Sequence, residues 1–257
     1  MTQHYLMVVS IWILSSMASA NSFTIGVRIF GGEEATNPIP YQISLQKLRA
    51  TKWDHFCGGS IISHSYIVTA AHCVYQEEVE RLSILAGTTN RLSNSTRYLI
   101  QSYIPHPNYR ANNHHDIALV QTKHQFQFTS NIAPINFEKR YYIRSGVRCH
   151  VSGWGVMERV RTAPFPEELQ TTDLWTISNR LCRRFYNVSM NEICTFGMVD
   201  EGTCAGDSGG PLVSWDRSHL IGVVSYGPAY CGTGIPDVYT RISVFTNWIR
   251  GVIKANL

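Results

Sequence analysis

From Ile29 onward the chain breaks into short apolar or alternating runs, among them Tyr41 to Leu45, Ser60 to Thr69, Ile117 to Val120 and Leu220 to Ser225, separated by Gly, Pro and Asn. Runs this short, punctuated this often, form strands rather than helices, so the chain reads as all-β. The end is the exception. Val244, Trp248, Ile249 and Val252 fall at helical spacing within Val244 to Lys254, which predicts one terminal helix. With 257 residues and 44% hydrophobic content, a sizeable core can form in one domain or two small halves. A polar stretch at 123–131 is the expected connection between such halves, and no internal repeat or low-complexity segment is apparent.

The first twenty residues carry no Lys, Arg, Asp or Glu, hold an apolar stretch from Tyr5 to Leu14, and end in Ala18-Ser19-Ala20. That pattern predicts a cleaved secretory leader at 1–20. An uncleaved anchor is the rival reading, and the shortness of the apolar core argues against it. No later segment has the roughly 18 consecutive apolar residues of a membrane span, so a soluble, secreted, extracellular protein with no membrane contact is expected. Its 22 Lys and Arg against 18 Asp and Glu are spread along the chain, which argues against nucleic acid as a partner.

Seven cysteines on a secretory route imply disulfides with one thiol left over, and the count alone leaves the pairing open. Two sequons, Asn94-Ser95-Thr96 and Asn187-Val188-Ser189, can carry glycans. The polar segment 21–28 ends in Arg28, directly before Ile29-Phe30-Gly31-Gly32. An enzyme that cuts after basic residues can remove it.

The most informative string is Gly206-Asp207-Ser208-Gly209-Gly210-Pro211. Alone it is a glycine-rich turn; as a nucleophile it needs a base and an orienting acid elsewhere. Thr69-Ala70-Ala71-His72-Cys73 places a histidine after an apolar run, and Asp116-Ile117-Ala118-Leu119-Val120 places a carboxylate at the head of another. Each taken singly is an ordinary structural residue. His114 and His115 beside Asp116 invite a metal reading, but a third ligand is lacking and adjacent residues of a strand point opposite ways, so no metal is expected.

Taken together, the order His, Asp, Ser, with Ile29-Phe30-Gly31-Gly32 at one end and Ser225-Tyr226-Gly227 near the other, resembles the chymotrypsin-like serine proteases over Ile29 to Leu257. The pocket residues are most similar to arthropod chymotrypsins and crustacean collagenolytic serine proteases. The resemblance implies two antiparallel Greek-key β-barrels, the active site between them, and the terminal helix, with 29–257 as the peptidase domain. It implies Ser208 as nucleophile, His72 as general base, Asp116 as its orienting acid, and the amides of Gly206 and Ser208 as the oxyanion hole. An acyl-enzyme endopeptidase made as a zymogen follows, in which cleavage after Arg28 frees an Ile29 ammonium to pair with Asp207.

The resemblance also implies disulfides Cys57 with Cys73, Cys182 with Cys194 and Cys204 with Cys231. Cys149 departs from the family, because its usual partner position holds Ser214. A free, buried thiol is expected there. Thr88-Thr89-Asn90 lacks the glutamate that opens the family's calcium site, so no calcium is expected, and no cofactor of any kind. In the pocket, Gly202 stands at the base where an aspartate would select Lys or Arg, with Thr203, Ser225, Tyr226 and Gly227 around it. Asp237 occupies a wall position usually filled by glycine. Large apolar residues are the expected preference, with some cleavage after Lys or Arg. Trypsin-like use of Asp237 and a catalytically inactive binding homologue are the alternatives; a turn hydrogen bond is the plain reading of Asp237. Expected partners are protein or peptide substrates, an activating trypsin-like protease and protein inhibitors, acting on a monomer.

Overall fold

The structure, a computed structural model, describes residues 32–110, 114–137, 143–159 and 162–256. The leader, Arg28 and Ile29 lie outside the described residues. Strand β1 is Glu33–Glu34; β2 to β7 are Gln42–Arg49, Lys52–Ile61, Tyr66–Thr69, Leu82–Ala86, Thr96–Pro105 and Ala118–Thr122. Strands β8 to β13 are Arg148–Gly153, Gln170–Ile177, Glu192–Phe196, Pro211–Ser214, Leu220–Tyr226 and Asp237–Arg241. Helices α1, α2 and α3 are Ala71–Val74, Asn179–Cys182 and Ile242–Ala255.

Strands β2 to β7 close a barrel in the order β2-β3-β4-β7-β6-β5. Strands β8 to β13 follow the order β9-β10-β13-β12-β11-β8, and pairing of β8 with β9 closes that ring too. Each ring therefore runs first, second, third, sixth, fifth, fourth, with every pairing antiparallel, and β1 adds to the outside of β9. Two all-β barrels with one topology thus arise from halves that share no visible repeat.

Period-2 alternation sets the faces. In β9, Gln170, Thr172, Leu174 and Thr176 point inward while Trp175 faces solvent. At the start of β2 the alternation vanishes, because Gln42 to Gln46 are all buried. That strand has barrel core on one side and the other barrel on the other, where Ser152 Oγ donates to Gln42 Oε1 at 2.7 Å. The run Ser60 to Thr69, continuous in sequence, splits into β3 and β4 around a bend at 62–65. There the Ser63 hydroxyl accepts the Tyr66 amide at 3.1 Å and carries the chain through the turn.

Helix α3 follows directly on β13 and packs across the seam of the two barrels. Ile242, Phe245 and Ile249 are buried in one cluster with Ile67, Val120, Val213 and Val223. Trp248 and Val252 pack at its edge, whereas Val244, read as part of the apolar face, is 47% exposed. Three of the four residues expected on the apolar face, Trp248, Ile249 and Val252, therefore pack on the core, and Ile242 and Phe245 complete the stripe in place of Val244. A second cluster, including Cys149, Val151, Leu174, Leu212 and Tyr239, fills the other barrel. The segment 123–137 packs Phe126, Ile132 and Ile135 on the first barrel before Leu220 N–H meets Asn136 O at the second. No described helix is long and apolar enough to cross a membrane.

Candidate active site

The two barrels meet backbone to backbone. A Cβ on Gly58 would come within 2.9 Å of Gly210 Cα, and Gly209, at φ +79°, leaves no room for one against Thr69 Oγ1. Glycine is required here by space and by the left-handed conformation. The close approach lets Gly58 N–H donate to Ser208 O at 2.7 Å and Thr69 Oγ1 donate to Gly58 O at 2.8 Å. The turn bearing Ser208 is thereby docked against the end of β4, from which α1 carries His72.

Asp116 reaches His72 from the segment before β7. Its Oδ1 accepts the His72 backbone N–H at 2.9 Å and its Oδ2 lies 2.7 Å from His72 Nδ1. A carboxylate only accepts, so Nδ1 carries the proton and Nε2 keeps its lone pair. Ser225 Oγ donates to the same Oδ2 at 2.6 Å, and Thr240 Oγ1 donates to Asp116 O at 2.7 Å. Burial pushes the Asp116 carboxyl up, but the His72 and Ser225 bonds and the His72 charge outweigh it, and it titrates below its ordinary value. Burial likewise pulls His72 down, and the Asp116 bond and charge overcome that, leaving it above its usual 6.5.

His72, Asp116 and Ser208 line one cleft of about 700 Å³, shared with Thr203, Ser225, Tyr226 and Gly227. Tyr109, His114, Tyr186 and Asn187 line it too, although nothing in their local sequence marks them as cleft residues. His114 and His115 lie in a loop rather than on a strand and turn apart: His114 Nδ1 sits 3.2 Å from Glu192 Oε1, and His115 stacks on His106. The metal-like grouping of Cys57, His72 and Cys73 is no ligand set, because the two sulfurs are bonded to each other.

Behind the cleft, Gly206 takes φ +97°, and a side chain there would strike the Phe165 ring at 2.7 Å. Gly206 O is 3.0 Å from His55 Nε2, whose Nδ1 is 2.8 Å from Ser44 Oγ. The carbonyl can only accept, so Nε2 bears the proton and Ser44 donates to Nδ1. Burial drives His55 down to about 3, so it stays neutral. Phe165 meets His55 edge-on at 5.3 Å. It is held by Arg91, whose Nη2 donates to Phe165 O at 2.9 Å and whose Nε donates to Pro166 O at 2.7 Å.

Asp207 is fully buried. Its carboxylate fills space that Cβ atoms on Gly153 and Gly155 would occupy, and it accepts the Gly155 and Cys204 amides at 2.8 and 2.9 Å. Burial raises it to about 6 against the pull of those two bonds. Among the described residues no cation pairs with it.

Asp237, 6% exposed, opens β13 rather than sitting in a turn, and its Oδ2 accepts the Thr203 amide at 2.7 Å. Cβ atoms on Gly202 and Gly227 would approach its carboxylate to 2.8 and 2.6 Å. The acid thus stands directly behind these two glycines. Disulfides join Cys57 to Cys73, Cys182 to Cys194 and Cys204 to Cys231. Cys149 is buried and unbridged, opposite Ser214 in the β8–β11 register, and burial pushes its thiol up to about 12. It is inert as a nucleophile.

The trypsin family profile, described as "Trypsin", matches residues 29–249. Chymotrypsin-2 of Vespa crabro is 35% identical over 225 residues, covering 86% of this chain and 98% of the relative. Trypsin epsilon of Drosophila erecta is 35% identical over 230 residues, 87% and 86% respectively, and human kallikrein-12 is 33% identical over 237 residues, 89% and 92%. With both barrels, the terminal helix and nearly the whole chain matched, this protein belongs to the trypsin family and is a serine endopeptidase.

Proposed function

We propose that the protein is a secreted, monomeric endopeptidase made as a zymogen, using His72, Asp116 and Ser208 to cleave proteins or peptides after large apolar residues, with some activity after Lys or Arg. The observation that carries the mechanism is the doubly held Asp116–His72 pair beside Ser208 in the cleft. A serine hydroxyl is scarcely ionised at neutral pH and needs a base. With Nδ1 protonated, His72 Nε2 takes the Ser208 proton as Oγ attacks the carbonyl. Asp116 stabilises the imidazolium, which then protonates the departing amine. Water repeats the sequence on the acyl-enzyme. The amides of Gly206 and Ser208 receive the oxyanion, each donor worth roughly 3 kcal/mol.

The zymogen reading is supported by Asp207, a fully buried acid that burial raises to about 6 and whose ionised form a cation would stabilise strongly. An Ile29 ammonium, freed by a trypsin-like protease cutting after Arg28, is that cation; loss of one partner of such a pair typically costs about 3 to 5 kcal/mol. Protein inhibitors would occupy the same cleft as substrate. The leader at 1–20 and the propeptide at 21–28 account for secretion and latency.

Gly202 leaves the pocket base uncharged, which favours Phe, Tyr and Leu. Asp237, behind Gly202 and Gly227, supports a second, trypsin-like activity. Labelling activated protein with a serine-directed phosphonate tests the core reading: Ser208 should be modified stoichiometrically and Ser208→Ala should lose activity while still being secreted. An unlabelled Ser208, or a variant within tenfold of wild type, would indicate the inactive binding homologue or a different nucleophile.

A further inference from the structure

Asn187 heads the sequon Asn187-Val188-Ser189, is exposed, and lines the same cleft as His72 and Ser208. The backbone that carries it is pinned. Val188, 2% exposed, packs with Cys182, Cys194 and Val238, two of them joined by a disulfide. Arg183 Nε donates to Val188 O at 3.0 Å. The Ser189 amide and hydroxyl both donate to Glu192 Oε2 at 2.7 Å, and the Asn191 amide donates to Ser189 Oγ at 3.0 Å. Next door, Tyr186 meets Tyr226 edge-on at 5.5 Å. With residue 188 locked inward, residue 187 is held outward on the cleft wall and cannot turn away without breaking this set.

We propose that Asn187 carries an N-linked glycan and that this glycan is a size filter on the cleft, admitting short peptides and esters while slowing entry of folded or bulky polypeptides. The proposal rests on the secreted-endopeptidase reading above. In the attachment step, the bond between the first sugar's anomeric carbon and the phosphate of a lipid-linked pyrophosphate donor breaks. The bond to Asn187 Nδ2 forms, and one amide proton leaves with the pyrophosphate. Since the Ser189 hydroxyl is committed to Glu192 in the folded chain, attachment precedes closure of this turn. Once in place, a flexible oligosaccharide rooted on the wall loses conformational freedom when a large substrate enters, and that entropic cost grows with substrate bulk. Asn94 provides the contrast: it is exposed between β5 and β6 and is not among the residues lining the cleft.

The test uses activated protein from a eukaryotic secretory host, in four forms: wild type, wild type after enzymatic glycan release from the folded protein, Asn187→Gln and Asn94→Gln. Mass analysis reads occupancy at Asn187. Values of kcat/KM are then measured on a short peptide ester and on a folded protein cut at the same residue type. Glycan release and Asn187→Gln should each raise the protein-to-ester ratio by about threefold or more, with Asn94→Gln at the wild-type ratio. An unmodified Asn187, or a ratio unmoved by glycan release, overturns the filter. Absence of ester hydrolysis in every form would instead overturn the endopeptidase reading itself.

Discussion

Asp116 grips His72 at two points, one carboxylate oxygen on the ring nitrogen at 2.7 Å and the other on the backbone amide at 2.9 Å. Ring tautomer and ring position therefore depend on one side chain. Asp116→Asn places an amide where only an acceptor fits and favours the wrong tautomer, so kcat should fall by about 10⁴-fold, the size this change has in triads of this family. In the wild type, kcat/KM should fall as pH drops through a His72 midpoint above 6.5, because the protonated ring cannot act as base. In the variant that midpoint should move to lower pH. A profile with an unchanged acid limb would show that Asp116 does not set the His72 charge.

Asp207 makes precursor stability pH-dependent in a definite direction. Its folded value, about 6, lies above the ordinary 3.8. The stability it contributes is thus fully present below about pH 4 and lost as pH rises through 6. In uncleaved protein, the Tm advantage of Asp207→Asn over wild type should grow between pH 4 and 7. On the proposed zymogen mechanism, activation should abolish that growth, because an Ile29 ammonium would stabilise the ionised acid. Parallel Tm curves for precursor and variant would count against an uncompensated Asp207.

On the proposed assignment of the Gly206 and Ser208 amides as the oxyanion hole, Arg91 is a positioning residue for that loop. It holds the carbonyls of Phe165 and Pro166, and the Phe165 ring abuts Gly206 and His55. Arg91→Ala should lower kcat by about tenfold while leaving KM for a short substrate within about twofold, since what is lost is stabilisation of the transition state. Peptide aldehydes, which form an oxyanion, should bind more weakly in proportion. Arg91→Lys, with charge but no fork, should fall between. A rise in KM at constant kcat would assign Arg91 to substrate binding instead.

Asp237→Gly should lower kcat/KM for Lys and Arg substrates by at least about tenfold, or roughly 1.4 kcal/mol, while sparing Phe and Leu substrates. A carboxylate behind the pocket wall attracts a cationic side chain and is partly stripped of hydration by an apolar one. Equal active-site titre is needed, because a folding defect depresses all substrates alike. If the Lys-to-Phe ratio does not move, Asp237 does not act on the substrate and the pocket is plainly chymotrypsin-like.

Strand content, the terminal helix and the strings around His72, Asp116 and Ser208 were legible from sequence alone, because turn chemistry, apolar periodicity and a nucleophile turn are encoded over a few adjacent residues. The resemblance added the pairing of six cysteines and the isolation of Cys149, and the structure has both. Other features depended on partners distant in the chain. Ser225 lies 109 positions from Asp116 and Thr240 lies 124 away, yet both hold it. Gly153 and Gly155 look like ordinary turn glycines until Asp207 is seen in the space they leave. Val244 has helical spacing but faces solvent, because the face of α3 that is buried is the one bearing Ile242, Phe245 and Ile249, which meets residues of both barrels. The cleft position of Asn187 has the same origin: its sequon is local, but its neighbours come from β7's approach, β10 and β12, and only closure of both barrels brings those segments together.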